Sequence, residues 1–258
     1  YWTHRAAGYS GANQEELASN QKRVWRSVIA RRIDARFPNR QPQTLRVLDV
    51  GTGPGFFAII LAELGYRVTA VDYTASMLDE ARRNAGSLAR QINFQQMNAE
   101  ALTFPSASFD VVVTRNVTWN LPHPEAAYAQ WIRVLAPGGL LLNFDANWYR
   151  YLWDDAAQQA HAQDRDNLRR SDVRDETAGT DVDAMERIAR QAPLSTRLRP
   201  QWDLGVLQDL GLDASADPEI WRQVWTREER INNASTPMFL IEGKKLPMQN
   251  FLKGEQCP

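Results

Sequence analysis

Residues that would announce a metal site or a disulfide scaffold are nearly missing from this chain. There is one cysteine, Cys257, and there are three histidines, His4, His123 and His161, in 258 residues. A single thiol excludes an internal disulfide and fits a reducing compartment, and beside the C-terminus it reads as an exposed tail thiol. No histidine stands at two-ligand spacing from another His or Cys, so no metal is expected, and His123, between Pro122 and Pro124, reads as an exposed turn residue. An excess of either charge is also lacking: Lys and Arg number 30 against 31 Asp and Glu, for a net charge of -1. That balance leaves no broad electrostatic footprint for nucleic acid. No apolar run approaches the length of a membrane span, and no signal-peptide pattern opens the chain. We expect a soluble, cytoplasmic protein with no membrane partner. Its start at Tyr1 rather than methionine suggests a trimmed or engineered beginning. Nothing in the sequence fixes an oligomeric state.

What is present is a glycine-rich turn between two apolar runs. Val47-Leu48-Asp49-Val50 leads into Gly51-Thr52-Gly53-Pro54-Gly55, a helix-like run follows, and Arg67-Val68-Thr69-Ala70-Val71 ends on Asp72. Glycines let the backbone turn tightly and lie against a ligand that a Cβ would push away. Asp72 falls about twenty residues beyond the glycines, where a carboxylate accepts hydrogen bonds from ribose hydroxyls. The pattern describes an adenosyl site. Spacing leaves the cofactor open at this point, because Gly53-x-Gly55-x-x-Ala58 also satisfies a dinucleotide fingerprint and so an NAD-dependent oxidoreductase.

Further segments follow in order: Asn98-Ala99-Glu100-Ala101-Leu102-Thr103-Phe104-Pro105, Ser108-Phe109-Asp110-Val111-Val112-Val113, and Arg133-Val134-Leu135-Ala136-Pro137-Gly138-Gly139. With the Gly51, Gly53, Gly55 spacing and the preceding Asp49, they resemble the class I S-adenosylmethionine-dependent methyltransferases over residues 45 to 145. The likeness is to the small-molecule, type 11-like branch that includes the quinone C-methyltransferases. The resemblance implies S-adenosyl-L-methionine as cofactor, S-adenosyl-L-homocysteine as product, and in-line methyl transfer to a small-molecule acceptor whose N, O, S or C nucleophile is undetermined. A non-catalytic module that senses S-adenosylmethionine remains a further alternative.

Strands are expected near 45–50, 67–72, 91–95, 109–114 and 139–145, with helices near 55–64, 75–86 and 124–135. Apolar strands separated by helices mean an α/β fold, Rossmann-like and doubly wound: a mainly parallel seven-stranded sheet with helices on both faces. Residues 13–36 are expected as one amphipathic helix, capped by Asn13 with Glu16 three later. The resulting division is residues 1–44 as a helical cofactor cover, 45–145 as the cofactor-binding core, 146–200 as a helical lid insertion and 201–258 as the rest of the core and a tail.

Ligands of such sheets sit beyond the carboxyl ends of the strands, where Asp49, Asp72, Asn98 and Asn116 all fall. Gly51, Thr52, Gly53 and Gly55 form the cofactor loop, and Asp49 either holds that loop or touches the ligand. The resemblance sets Tyr73 and Met77 against the adenine, and has Asn98 accept a bond from the adenine amine. It also has Ala99 offer its N–H to the ring beside Glu100, read as a solvated loop acid. Arg115 and Asn116 would hold the methionine ammonium through backbone carbonyls. The opening Trp2-Thr3-His4-Arg5-Ala6-Ala7-Gly8-Tyr9 resembles a segment that folds over the cofactor, making Tyr9 and Arg5 candidates for the methionine carboxylate. Trp119, Trp148, Tyr149, Tyr151 and Trp153 are the expected acceptor wall. The strand end Arg115-Asn116-Val117-Thr118-Trp119 lacks the Pro-Pro-aromatic run of base-flipping amino methyltransferases, which argues against a nucleic-acid substrate. No catalytic base is assigned; His4, Asp145 and His161 are candidates.

Overall fold

The structure, a computed structural model, describes residues 1–247, with the His4 side chain left outside the description; Cys257 also lies outside the described residues. Two helices open the chain, α1 (Trp2–Ala18) and α2 (Asn20–Arg36). Alternation then begins with β1 (Arg46–Val50), α3 (Phe56–Glu63), β2 (Arg67–Asp72), α4 (Ala75–Ala85), β3 (Ile92–Gln96), β4 (Phe109–Arg115), α5 (Pro124–Val134) and β5 (Leu135–Asp145). Beyond β5 come α6 (Asp155–Arg169), α7 (Val182–Ala189), α8 (Gln201–Asp209), β6 (Leu212–Asp217), α9 (Trp221–Val224), α10 (Arg227–Asn232) and β7 (Phe239–Lys245).

The strands form one seven-stranded sheet in the order β3-β2-β1-β4-β5-β7-β6. The five strands β1 to β5 pair in parallel, while β7 runs antiparallel to both β5 and β6. Central strands are apolar on both faces because both are covered. One layer is built on Trp25, Ile29, Ile33, Ile60 and Leu61, the other on Tyr128, Trp131, Leu135 and Leu207. The doubly wound α/β expectation holds, and the antiparallel β7 separates this sheet from the all-parallel 3-2-1-4-5-6 order of dinucleotide folds.

One expectation is corrected. Residues 13–36 are not a single helix: the chain breaks at Ser19, whose extended backbone and side chain cap α2 by accepting from the Gln21 amide. Asn13 therefore lies inside α1 and caps nothing; its side-chain amide donates to Pro54 O at 2.8 Å. Helix-compatible residues on both sides of Ser19 hide the break, and a serine cap reads from sequence only when the preceding residues are known to be extended. Helices α9 and α10, between β6 and β7, are additional elements that the periodicity did not announce.

Trp25 joins the two ends of the chain's logic, since it is fully buried and meets Phe57 and Phe144 edge-on at 5.1 and 5.0 Å. Edge-to-face aromatic packing adds to area burial. Trp25→Ala is expected to cost about 3–5 kcal/mol, as for other buried aromatic truncations. Urea unfolding should show a lower midpoint at unchanged slope.

Candidate functional site

Strand β1 delivers Asp49 to the sheet's carboxyl edge and the chain then turns through three left-handed glycines, Gly51, Gly53 and Gly55, at φ +66, +52 and +96. The three are required for different reasons. A Cβ on Gly51 would sit 2.3 Å from Val117 Cγ2, and one on Gly55 would meet Ala81 Cβ at 3.0 Å. At Gly53 a Cβ would meet nothing within 4 Å, so this peptide borders open space. Two glycines thus allow close packing and the middle one presents bare backbone outward.

The loop is clamped from three sides. Asp72 accepts from the amides of Gly53 (2.9 Å) and Thr74 (2.8 Å), one on each oxygen, and each oxygen keeps a further lone pair. Pro54 O receives the side-chain amides of Asn13 and Asn84 at 2.8 and 3.0 Å. Ser10 and Gln14 bind Asn84 Oδ1, so α1 crosses the loop and is tied to α4. Asp49 is 2% exposed and accepts from the Thr52 hydroxyl at 2.6 Å. Burial pushes its carboxyl up to about 7, with the Thr52 and Ala58 hydrogen bonds pulling the other way. The Asp72 carboxyl is raised as well, chiefly by burial.

At the end of β4, Arg115 donates to both oxygens of Glu16 at 2.8 and 3.1 Å and lies over the rings of Trp25 and Phe56 at 4.7 and 5.1 Å. Its side chain is thereby committed to holding α1. Asn116 adopts φ +57, which asparagine tolerates better than most residues. Its carbonyl accepts from the Trp119 indole at 3.0 Å. Buried polar atoms of this region without a partner among the described residues include Asn116 Oδ1, Asn13 Oδ1, Arg5 Nε, Thr114 Oγ1 and Trp25 Nε1.

On the adenine-facing side expected from sequence, Tyr73 is 73% exposed and Met77 is buried in α4. Asn98 Oδ1 accepts the Glu100 amide at 2.9 Å in a local turn. The Ala99 carbonyl takes the Trp131 indole at 3.0 Å. Glu100 is not a solvated acid: its side chain is 12% exposed, and it holds the His123 amide at 2.6 Å and the ring Nδ1 at 3.2 Å, fixing the entry to α5. That partner lies 23 residues away, so no local signal marks it.

The aromatic residues after β5 do not act alike. Trp119 and Tyr149 rings lie 4.9 Å apart, Tyr149 and Tyr151 5.9 Å apart, and Tyr151 stacks on His161 at 3.9 Å. Tyr151 donates to Glu186 at 3.0 Å, and burial raises both tyrosines above the ordinary phenol range. Burial lowers the His161 imidazole. Trp119, Met185 and Ala189 are packed by Tyr1, Trp2, Trp148, Tyr149 and Leu152, which joins the start of α1 to α7. Trp148 bridges this cluster and Trp225, whose ring centroid is 6.4 Å away, and Trp153 stands 51% exposed. Tyr9 is 41% exposed, with Arg5 over its ring at 5.4 Å. Asp145 is wholly buried and ion-paired to Arg199 at 2.9 Å. Sequence reasoning missed the roles of Arg199, Asn84 and Glu16, whose partners Asp145, Pro54 and Arg115 lie 54, 30 and 99 residues away in sequence.

With this geometry in hand, residues 48–143 match the family model described as a methyltransferase domain. The chain is 39% identical over 128 residues to a demethylmenaquinone methyltransferase of Deinococcus radiodurans, covering 49% of this chain and 51% of that one. It is 31% identical over 144 residues to a ubiquinone/menaquinone biosynthesis C-methyltransferase of Rhodopseudomonas palustris, covering 54% and 56%. The chain therefore spans about half the length of the curated relatives it matches. Its fold is similar to a TehB-like methyltransferase from Corynebacterium glutamicum, at TM-score 0.55 and 15% identity over 94% of this chain and 98% of that one. No helix among the described residues is long and apolar enough to cross a membrane.

Asp49 yields a pH test. Its folded carboxyl titrates near 7 against 3.8 for the unfolded reference, so the native chain keeps a proton that the unfolded chain releases. Stability contributed by that proton is fully present below about pH 4, falls as pH rises toward 7 and is then lost. Asp49→Asn is expected to remove this slope, so that the variant gains on the parent between those pH values in urea unfolding.

Proposed function

We propose that the chain, which matches a methyltransferase-domain model over residues 48–143 and is similar to quinone C-methyltransferases, is a class I S-adenosylmethionine-dependent methyltransferase that methylates a small-molecule acceptor at the edge carrying the glycine loop. The observation that carries this reading is the bare backbone of Gly53, open to solvent and bracketed by Asp49 and Asp72. Asp72 at the end of β2 suits the ribose of either cofactor, so the choice between them falls to the sheet and to the family match. The sheet order opposes a dinucleotide.

In this reading Asp72 takes the ribose hydroxyls on its remaining lone pairs, and Gly51, Thr52, Gly53 and Gly55 line the cofactor with backbone. Asp49 holds the loop through Thr52. Tyr73, Met77, Asn98 and Ala99 surround the adenine, with Glu100 behind them on His123. The carbonyls of Arg115 and Asn116, together with Tyr9, meet the amino-acid end. When bound, the cofactor supplies a methyl group already activated by its sulfonium, and the residues present fit it. The chain's own part is to orient the acceptor and exclude water. Trp119, Tyr149 and Tyr151 offer flat faces for a planar, quinone-like acceptor of the kind the relatives' names carry. Trp148 and Trp153 hold the outer part of the same segment. His161, stacked on Tyr151, is the candidate group to take a proton from the acceptor.

Calorimetry tests the cofactor: S-adenosylmethionine and S-adenosylhomocysteine should bind and NAD should not. Methyl-labelled S-adenosylmethionine should then label a small molecule in cell extract. NAD binding without S-adenosylhomocysteine binding would overturn the reading.

Asp72→Ala is expected to stay folded and to lose about 1.5–3 kcal/mol of S-adenosylhomocysteine affinity, the range for hydrogen bonds to a charged group. Gly53→Val should likewise abolish binding. Shortening residues 155–190 to a Gly/Ser linker, with Arg199 retained, should preserve cofactor binding and remove methyl transfer. Full transfer by the shortened enzyme would refute an acceptor-covering role for the insertion.

A further inference from the structure

The insertion of residues 146–200 leaves the core and returns to it at two points that are joined to each other. Asn147 Nδ2 donates to Arg199 O at 2.9 Å, and the Arg199 amide donates back to Asn147 Oδ1 at 3.3 Å. The Arg199 side chain is 1% exposed and lies between two carboxylates that are fully buried. Its Nη1 reaches Asp145 Oδ2 at 2.9 Å, while Nε and Nη2 fork onto Asp203 at 2.9 and 2.8 Å. Its guanidinium also faces the Phe239 ring at 5.1 Å. A planar, five-donor cation is the one side chain able to serve two carboxylates in this way.

The cluster continues toward the acceptor side. Asp145 Oδ2, the atom that receives Arg199, also accepts the backbone amide of Trp119 at 2.9 Å, and Oδ1 accepts the Ala146 amide at 2.9 Å. Asp203 is held in turn by the Tyr128 hydroxyl at 2.6 Å, and Asn143 ties that hydroxyl to Thr118 Oγ1 at 2.8 and 2.9 Å. Asp145 thus reaches the turn of residues 118–120 directly, and Asp203 reaches the same turn through Tyr128 and Asn143.

We propose that Arg199 and Asp145 are positioning residues, a buried latch that sets the Trp119 turn and both feet of the insertion in register so that the Trp119 and Tyr149 faces stand over the reacting methyl group. This rests on the methyltransferase reading for its purpose, though not for its geometry. Stability alone does not account for the cluster, because well-packed apolar side chains stabilise such a site as well as a buried ion pair does. Apolar residues cannot accept the Trp119 amide or hold two chain segments at a defined register. Asp145 is accordingly no general base: its oxygens already take two amides and a guanidinium.

Amide hydrogen exchange tests the latch on the whole chain. In the parent protein the Trp119 amide should be protected to the level of the strand amides of β4. Arg199→Lys, whose point charge cannot fork to both carboxylates, and Asp145→Asn should each speed Trp119 exchange about tenfold, the loss of one charge-assisted hydrogen bond. Amides of 147–153 and 193–199 should loosen with it, whereas β1 amides and S-adenosylhomocysteine affinity stay at parent values. Restoring the cation in Arg199→Lys should keep the fold that Arg199→Met loses. The latch is overturned if Trp119 is unprotected in the parent, a result independent of any variant's folding. It is equally overturned if a folded variant leaves Trp119 unchanged, or if β1 loosens as much as Trp119. Failure of the parent to bind S-adenosylhomocysteine would sink the methyltransferase reading and leave the exchange result to decide the latch.

Discussion

The structure turns on how closely the backbone after β1 must pass the end of β4. At Gly51 a single added carbon would overlap Val117, and at Gly55 it would press on Ala81 of α4. This contact brings the glycine loop, the β4 end and the α4 start to one edge, and leaves Gly53 as the outward-facing peptide. Asp49, Asp72, Tyr73, Met77, Arg115 and Asn116 lie within a few residues of one of those three segments, whereas Asn98, Ala99 and Glu100 come in from the end of β3.

Covering that edge falls to α1, and the cover is held by charge inside an aromatic setting. Arg115 reaches out of β4 to Glu16 while its guanidinium lies on Trp25 and Phe56. Burial raises the Glu16 carboxyl and Arg115 opposes that shift. An ion pair exposed to water contributes little, but one backed by rings and partly withdrawn from solvent gains both from weaker screening and from cation–π attraction. Asn13 and Asn84 then share the Pro54 carbonyl, so the same helix that Arg115 pins also steadies the glycine loop.

The segment after β5 is organised around a different charge cluster. Arg199, Asp145 and Asp203 are all buried, and their hydrogen bonds run to Trp119, Asn147 and Tyr128 rather than to solvent. Aromatic residues of the insertion consequently divide by their anchorage. Tyr149 and Tyr151 line up with Trp119 and His161, Trp148 bridges that group and Trp225, and Trp153 points outward. A run of four aromatic residues in six positions says only that an apolar surface is needed.

The sequence by itself determined the alternation of strands and helices and the glycine turn between β1 and α3 with Asp49 and Asp72 at its flanks. These are local: a strand's apolar run, a turn that only glycine can adopt and an acid at a strand end are all read within about twenty residues. The break at Ser19 escaped that reading because both flanks favour helix. Only the tertiary structure decided that Arg115 serves Glu16, that Glu100 serves His123 and that Asp145 is locked to Arg199. Each of those carboxylates and arginines looks the same in sequence whether it meets water, ligand or a buried partner. The difference is made by burial and by partners brought together across the sheet, and neither is encoded in the spacing of neighbouring residues.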